Sequence, residues 1–186
     1  MWQNVLKIST ENMENSDYWK NRKIEDTRRD WLEKKENWVE DYWASQNHPH
    51  RKLILQALKK VEPFESVLEI GSNAGPNLAL VKDIYATAKM MGVDINIDAI
   101  TYGMKNLPET YFLRCPIEKL DFLSCESFDV IICDAVLLYV EDIRNVLESI
   151  GIIAKKAIIL CEWKSKDKDE EILYGHWARD YRKYIE

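Results

Sequence analysis

The chain has 186 residues, of which 46% are hydrophobic and 31% charged, so it has the apolar content of a folded domain and not that of a disordered tail. No apolar run approaches the roughly 20 residues of a membrane span, and the first residues lack the apolar core of a signal peptide, so the expected address is cytoplasmic. Net charge is −6, and it is uneven: residues 1–62 carry 12 Lys+Arg against 11 Asp+Glu, residues 63–163 carry 8 against 15, and residues 164–186 carry 6 against 6. An acidic middle disfavours nucleic acid as the main partner. Cys115, Cys125, Cys133 and Cys161 have neither a C-x-x-C pair nor metal-ligand spacing, so no metal site is expected and the thiols read as buried and reduced.

Taken in chain order, residues 1–62 read as a helical N-terminal arm or lid. Trp31, Trp38 and Tyr42, at spacings of seven and four, fall on one helical face, with Trp43 beside it. Tyr42 and Trp43 could close over a ligand, or the aromatic stripe could serve to dock the arm on the sheet. The stretch Asn47-His48-Pro49-His50 interrupts that helix, and a second one follows from about Pro49 to Val61.

From Pro63 the pattern changes to apolar strands alternating with helices. The strands are Ser66–Gly71, Lys89–Asp94, Thr110–Cys115, Phe128–Cys133 and Ala157–Glu162. The helices are Pro76–Tyr85, Ile97–Met104 and Glu141–Ile150. This alternation predicts a Rossmann-like, doubly wound α/β sheet covered on both faces, here over residues 63–163. Lys164–Glu171 reads as a charged loop. His176–Ile185 reads as a closing helix, because Trp177, Tyr181 and Tyr184 are spaced by four and three.

The segment with the most chemical content is Val67-Leu-Glu-Ile-Gly-Ser-Asn-Ala-Gly-Pro-Asn77. A buried strand runs into a Gly-rich turn that opens a helix, where backbone can approach a ligand closely. The pattern is E-x-G-x-x-x-G. It departs from the G-x-G-x-x-G of dinucleotide sites, which speaks against an NAD-dependent oxidoreductase. Asp94 ends the second strand, where a carboxylate can accept hydrogen bonds from both hydroxyls of a ribose; the alternative is that it caps the helix from Ile97.

With those residues in view, the sequence resembles the class I S-adenosylmethionine-dependent methyltransferases. The resemblance rests on Leu68–Gly75, Gly92-Val-Asp94 and Phe128–Val140 and covers about residues 63–163. It implies sheet order 3-2-1-4-5, S-adenosylmethionine as cofactor, S-adenosylhomocysteine as product and a small-molecule methyl acceptor. Gly71 and Gly75 should line the methionine portion, with Ser72 and Asn73 in the turn and Glu69 beneath it. Asp94 should hold the ribose and Ile95 should pack on the adenine. Asp134 and Ala135 should lie beside the methionine end and the sulfonium, and Tyr139 takes a position where an aromatic often faces the cofactor. Pro116 takes the place of an acidic residue that the family often has near the adenine, which leaves the backbone N–H of Ile117, or Glu118, for that contact. Arg51 could meet the methionine carboxylate. Asp134, Tyr139, Glu162 and His176 are the candidate proton acceptors, and none stands out.

The family usually ends in an antiparallel hairpin beside strand five, and that hairpin looks missing. Either the chain is cut short, or the arm covers the strand-five edge, or two chains meet there as a homodimer. A different class of function, a non-catalytic regulatory or scaffold protein that binds S-adenosylmethionine or S-adenosylhomocysteine, fits the same cofactor motifs. The N/D-P-P-Y/F tetrapeptide of base-amino methylation is absent.

Overall fold

The computed structural model describes residues 15–23, 37–166, 168–173 and 176–184. Trp31, and with it part of the expected aromatic stripe, lies outside these residues. The arm contributes α1 (Asn15–Asn21), α2 (Trp38–Ala44) and α3 (Arg51–Lys60). Then follow β1 (Ser66–Ile70), α4 (Pro76–Ile84), β2 (Lys89–Asp94), α5 (Ile97–Asn106), β3 (Tyr111–Arg114), β4 (Phe128–Asp134), α6 (Ile143–Ile153) and β5 (Ala154–Cys161).

The five strands form one sheet in the order β3-β2-β1-β4-β5, with every pairing parallel. Parallel strands joined by helices are covered on both faces, which is why β1 and β4 are apolar almost throughout. Leu68, Ile70, Ile131 and Cys133 face α6 through Val146, Leu147 and Ile150. Val67, Val130 and Ile132 face α3 and α4 through Ile54, Leu58, Leu78 and Val81. Each such aliphatic side chain contributes about 1.5–3 kcal/mol by burial.

Helix starts are fixed locally. Asn96 caps α5 by accepting from the N–H groups of Asp98 and Ala99, and Asp142 caps α6 through Asn145. Pro76 opens α4 directly after Gly75, whose φ is 82°. The arm packs on this frame through Trp38, fully buried, whose Nε1–H donates to the Lys23 carbonyl at 2.7 Å. Tyr42, one turn on, lies edge to face with Trp38 at 6.0 Å. Trp43 packs on Tyr102 of α5 instead.

The C-terminal expectation is corrected. Residues 176–184 are not a helix: β6 (Glu170–Leu173) and β7 (His176–Arg179) form an antiparallel hairpin, followed by a 3-10 turn at Tyr181–Tyr184. The hairpin thus exists, but as a separate two-stranded sheet, and β5 remains the edge of the main sheet. Glu170 and Glu171, expected in a loop, begin β6. No helix among the described residues is long and apolar enough to cross a membrane.

Candidate active site

The carboxyl ends of β1, β2, β4 and β5 open into one cavity of about 640 Å³. It lies where the strand order reverses between β1 and β4, the position at which open α/β sheets bind ligands.

The turn after β1 forms its floor. Gly71 has φ 71°, and a Cβ there would lie 2.4 Å from Cγ2 of Val136. Only glycine meets both conditions without strain. Gly71 and Ser72 donate their N–H groups to the Val93 carbonyl, at 2.8 and 2.9 Å. Asn73, also left-handed at φ 50°, donates its N–H to Asp94 Oδ2 at 2.8 Å. Asp94 Oδ1 accepts from the N–H of Asn96 at 2.8 Å. The Ile95 N–H also bonds this carboxyl, so three backbone donors hold it and at least one lone pair is left for a ligand. Burial raises the Asp94 carboxyl above its ordinary value, although these N–H groups pull the other way.

Beneath the turn lies a polar network centred on Asn77, which is 3% exposed. Its Nδ2 donates to Glu69 Oε1 at 2.6 Å and to Asp134 Oδ2 at 2.9 Å, and its Oδ1 accepts from Arg51 at 2.7 Å. Glu69 is buried, and burial pushes its carboxyl up to about 8 despite the Asn77 bond, with Asp134 adding to the rise. Its Oε2 has no hydrogen-bond partner among the described residues. A buried oxygen in that state costs stability until a donor reaches it.

Asp134, at the end of β4, behaves oppositely. Burial alone would raise its carboxyl, but hydrogen bonds from His50 and Asn77, with the charges of His50 and Arg51, hold it below the usual range. His50 Nε2 donates to Asp134 Oδ2 at 3.0 Å, and the Nδ1 atoms of His50 and His48 are 2.5 Å apart. Arg51 lies 3.3 Å from Asp134 and also donates to the Ser45 carbonyl and hydroxyl, at 2.9 and 2.7 Å. With Asn77, these contacts use four of its five N–H groups.

Of the residues anticipated from sequence, Arg51, Glu69, Gly71, Ser72, Asn73, Asp94, Ile95, Ile117, Asp134, Ala135 and Tyr139 all line the cavity. Gly75, Pro116 and His176 do not. Gly75 is needed for packing, since a Cβ there would lie 2.7 Å from the Phe112 ring. Pro116 precedes a 3-10 turn at Ile117–Lys119, and Cys115, Ile117 and Glu118 line the cavity around it. His176, carried on β7, meets the cavity wall by edge contacts with Tyr139 and Trp163, at 5.0 and 5.7 Å between centroids.

Sequence reasoning left Asn77 and His50 without roles. Asn77 reads as a residue of the helix start, and its three-way position depends on contacts 8 to 57 residues away along the chain. From the sequence, Glu162 reads only as a proton acceptor. Its Oε1 accepts from the N–H groups of Val136 and Leu137, at 2.9 and 3.0 Å, and burial pushes its carboxyl up to about 7.

A family model described as a methyltransferase domain matches residues 62–180, so the chain belongs to the methyltransferase-domain family. Solved structures share the fold. The plantazolicin methyltransferase BpumL, in a complex with S-adenosylhomocysteine, aligns with TM-score 0.56 at 17% identity, over 68% of this chain and 52% of its own. The YcgJ protein of Bacillus subtilis aligns at 0.54 with 21% identity, over 64% and 53%. An S-adenosylmethionine-dependent methyltransferase from Aquifex aeolicus aligns at 0.53 with 19% identity, over 71% and 77%. The chain thus spans about half the length of the plantazolicin enzyme. No curated protein matches it.

Proposed function

We propose that this chain binds S-adenosylmethionine and transfers its methyl group to a small-molecule acceptor, releasing S-adenosylhomocysteine. One arrangement carries the reading: the left-handed turn at Gly71 and the Asp94 carboxylate face a single cavity at the reversal point of the sheet. The residues present fit the cofactor. The left-handed Gly71 backbone borders the cavity, the Glu69 Oε2 that has no hydrogen-bond partner among the described residues suits an ammonium, and the remaining N–H of Arg51 suits a carboxylate. Asp94 can accept from a ribose diol, with Ile95 and Ile117 against the adenine.

When bound, the cofactor supplies an electrophilic methyl carbon on a cationic sulfur. The chain's own residues supply position and proton handling. Ser72 and Asn73 hold the turn, and Ala135 lines the methyl end beside Asp134. Asp134 with His50 is the pair suited to receive a proton, and the exposed His48 continues that path outward. Tyr139 shapes the acceptor wall, and His176 acts on it as a positioning residue. In this reading residues 63–163 form the cofactor unit, and residues 1–62 form a lid that brings Trp19 and Tyr42 to the cavity.

A cavity of about 640 Å³ is within the size range of small-ligand sites. Together with the acidic balance of residues 63–163, it favours a small acceptor over a nucleic acid. Incubation with methyl-labelled S-adenosylmethionine and a size-fractionated metabolite extract tests this. Label should enter the low-mass fraction. Label confined to macromolecules overturns the small-acceptor reading.

A further inference from the structure

The part of the cavity wall left over by the cofactor assignment has a chemistry of its own. Trp19, Tyr42, Tyr139 and Trp163 line it, and they come from α1, α2, the turn after β4 and the segment after β5. The rings meet edge to face. Trp19 contacts Tyr42 at 6.3 Å and Tyr139 at 5.7 Å, and His176 links Tyr139 to Trp163 at 5.0 and 5.7 Å. Trp163 is 41% exposed, at the open side of this wall.

Charge adds a second, independent constraint. Six carboxyl side chains line the cavity against one guanidinium, that of Arg51, and no lysine of the described residues does so; two of the six, Glu69 and Glu162, are raised by burial to about 8 and about 7 and carry only part of that charge at neutral pH. Arg51 is already engaged by Asp134, Asn77 and Ser45. Next to the aromatic wall, Asp41 adjoins Tyr42 in α2, and Glu162 adjoins Trp163. The Oε2 of Glu162 is buried with no hydrogen-bond partner among the described residues. A phosphate or carboxylate acceptor would enter a field of its own sign. A cation is attracted both by the ring quadrupoles and by the carboxylates.

We infer that the methyl acceptor is a basic amine on an apolar or aromatic body, held against Trp19, Tyr42, Tyr139 and Trp163. This inference rests on the methyltransferase reading. The nitrogen gives up a proton to the Asp134–His50 pair, and its freed lone pair attacks the methyl carbon. The carbon–nitrogen bond forms as the carbon–sulfur bond breaks, and sulfur keeps the bonding pair, becoming the neutral thioether. His50 and His48 return the proton to solvent.

The test is calorimetric, on the full chain, with three probes that share one aromatic body: 2-phenylethylamine, 2-phenylethanol and 3-phenylpropanoate. S-adenosylhomocysteine is titrated first to saturation, and each probe follows. The amine should bind about tenfold tighter than the alcohol, with the carboxylate weakest. Trp163→Leu and Asp41→Asn should each weaken the amine several-fold while Trp163→Phe largely retains it. Equal binding of the three probes, tighter binding of the carboxylate, or no binding of any of them overturns the amine assignment. Absence of S-adenosylhomocysteine binding in the first titration overturns the methyltransferase reading and the amine assignment with it.

Discussion

Glu162 and Arg179 hold the same loop by its two kinds of backbone group. Glu162, just past β5, accepts the N–H groups of Val136 and Leu137. Arg179, fully buried on β7, donates to the carbonyls of Leu137, Val140 and Glu141, at 3.3, 2.8 and 3.2 Å. The loop between them carries Tyr139, and its Val136 packs where a side chain on Gly71 would have to go. The C-terminal hairpin is therefore part of the frame that fixes the inner wall of the cavity. Arg179→Met strands three carbonyls and should cost about 2–4 kcal/mol. Glu162→Ala strands two N–H groups and should cost about 2–3 kcal/mol. Urea unfolding measures both. Because the two residues serve one loop, the double variant should lose less than the sum of the single losses.

Stability should fall as pH rises from mildly acidic to mildly alkaline. Glu69 and Glu162 have carboxyls raised by burial from 4.5 to about 8 and about 7. Between those values and 4.5 the folded state binds more protons than the unfolded chain. Their contribution is full below about 4.5 and is lost as pH rises through about 7 for Glu162 and about 8 for Glu69. Asp134, held low, acts in the opposite sense at acid pH, where its contribution disappears on protonation. Melting temperature measured from pH 5 to pH 9 should decline, and Glu69→Gln should flatten the decline above pH 7. An unchanged slope in that variant contradicts the assignment.

Gly71→Ala tests the floor of the cavity. The substitution imposes a left-handed conformation on alanine, at about 1–2 kcal/mol, and drives its Cβ into Val136. Gly151→Ala is the matched control, because a Cβ there meets nothing within 4 Å. Thermal unfolding should show a drop of several degrees for the first variant and none, or a small gain, for the second.

Asn96 joins the arm to the cofactor floor. Its Nδ2 donates to the carbonyls of Trp19 and Arg22, at 2.6 and 2.8 Å, while its Oδ1 caps α5 and its N–H meets Asp94. Asn96→Ser keeps a cap but drops the two contacts to the arm. Hydrogen exchange at residues 15–23 should then speed up about tenfold or more while exchange in α5 changes little. Equal exchange in variant and wild type would show that Asn96 does not hold the arm.

The parts of the fold legible in the sequence are those whose signal is local. Val67–Ile70 and Val130–Cys133 are buried on both faces of a parallel sheet, so their apolar runs announce them. The glycine turn and Asp94 were legible because each requires a residue type that few alternatives can replace. The C-terminal hairpin was not. Trp177, Tyr181 and Tyr184 mimic helical spacing, and a four-residue strand is too short for its alternation to compete. The strand β5 starts at Ala154, before the expected Ala157, because Lys155 and Lys156 lie exposed at the sheet edge and read as loop. Arg179 reads as a surface cation, and Asn77 as a helix-start residue. Their burial under loops distant in sequence comes from tertiary contacts alone.

The central claim is that Asp94 and the turn at Gly71 bind S-adenosylmethionine. Isothermal titration of the wild-type chain and of Asp94→Ala with that compound tests it most directly. The wild type should bind with one-to-one stoichiometry, and the variant should lose about 10- to 100-fold in affinity as the hydrogen bonds to the charged acceptor disappear. No heat of binding in the wild type, or equal affinity in the two proteins, would contradict the account.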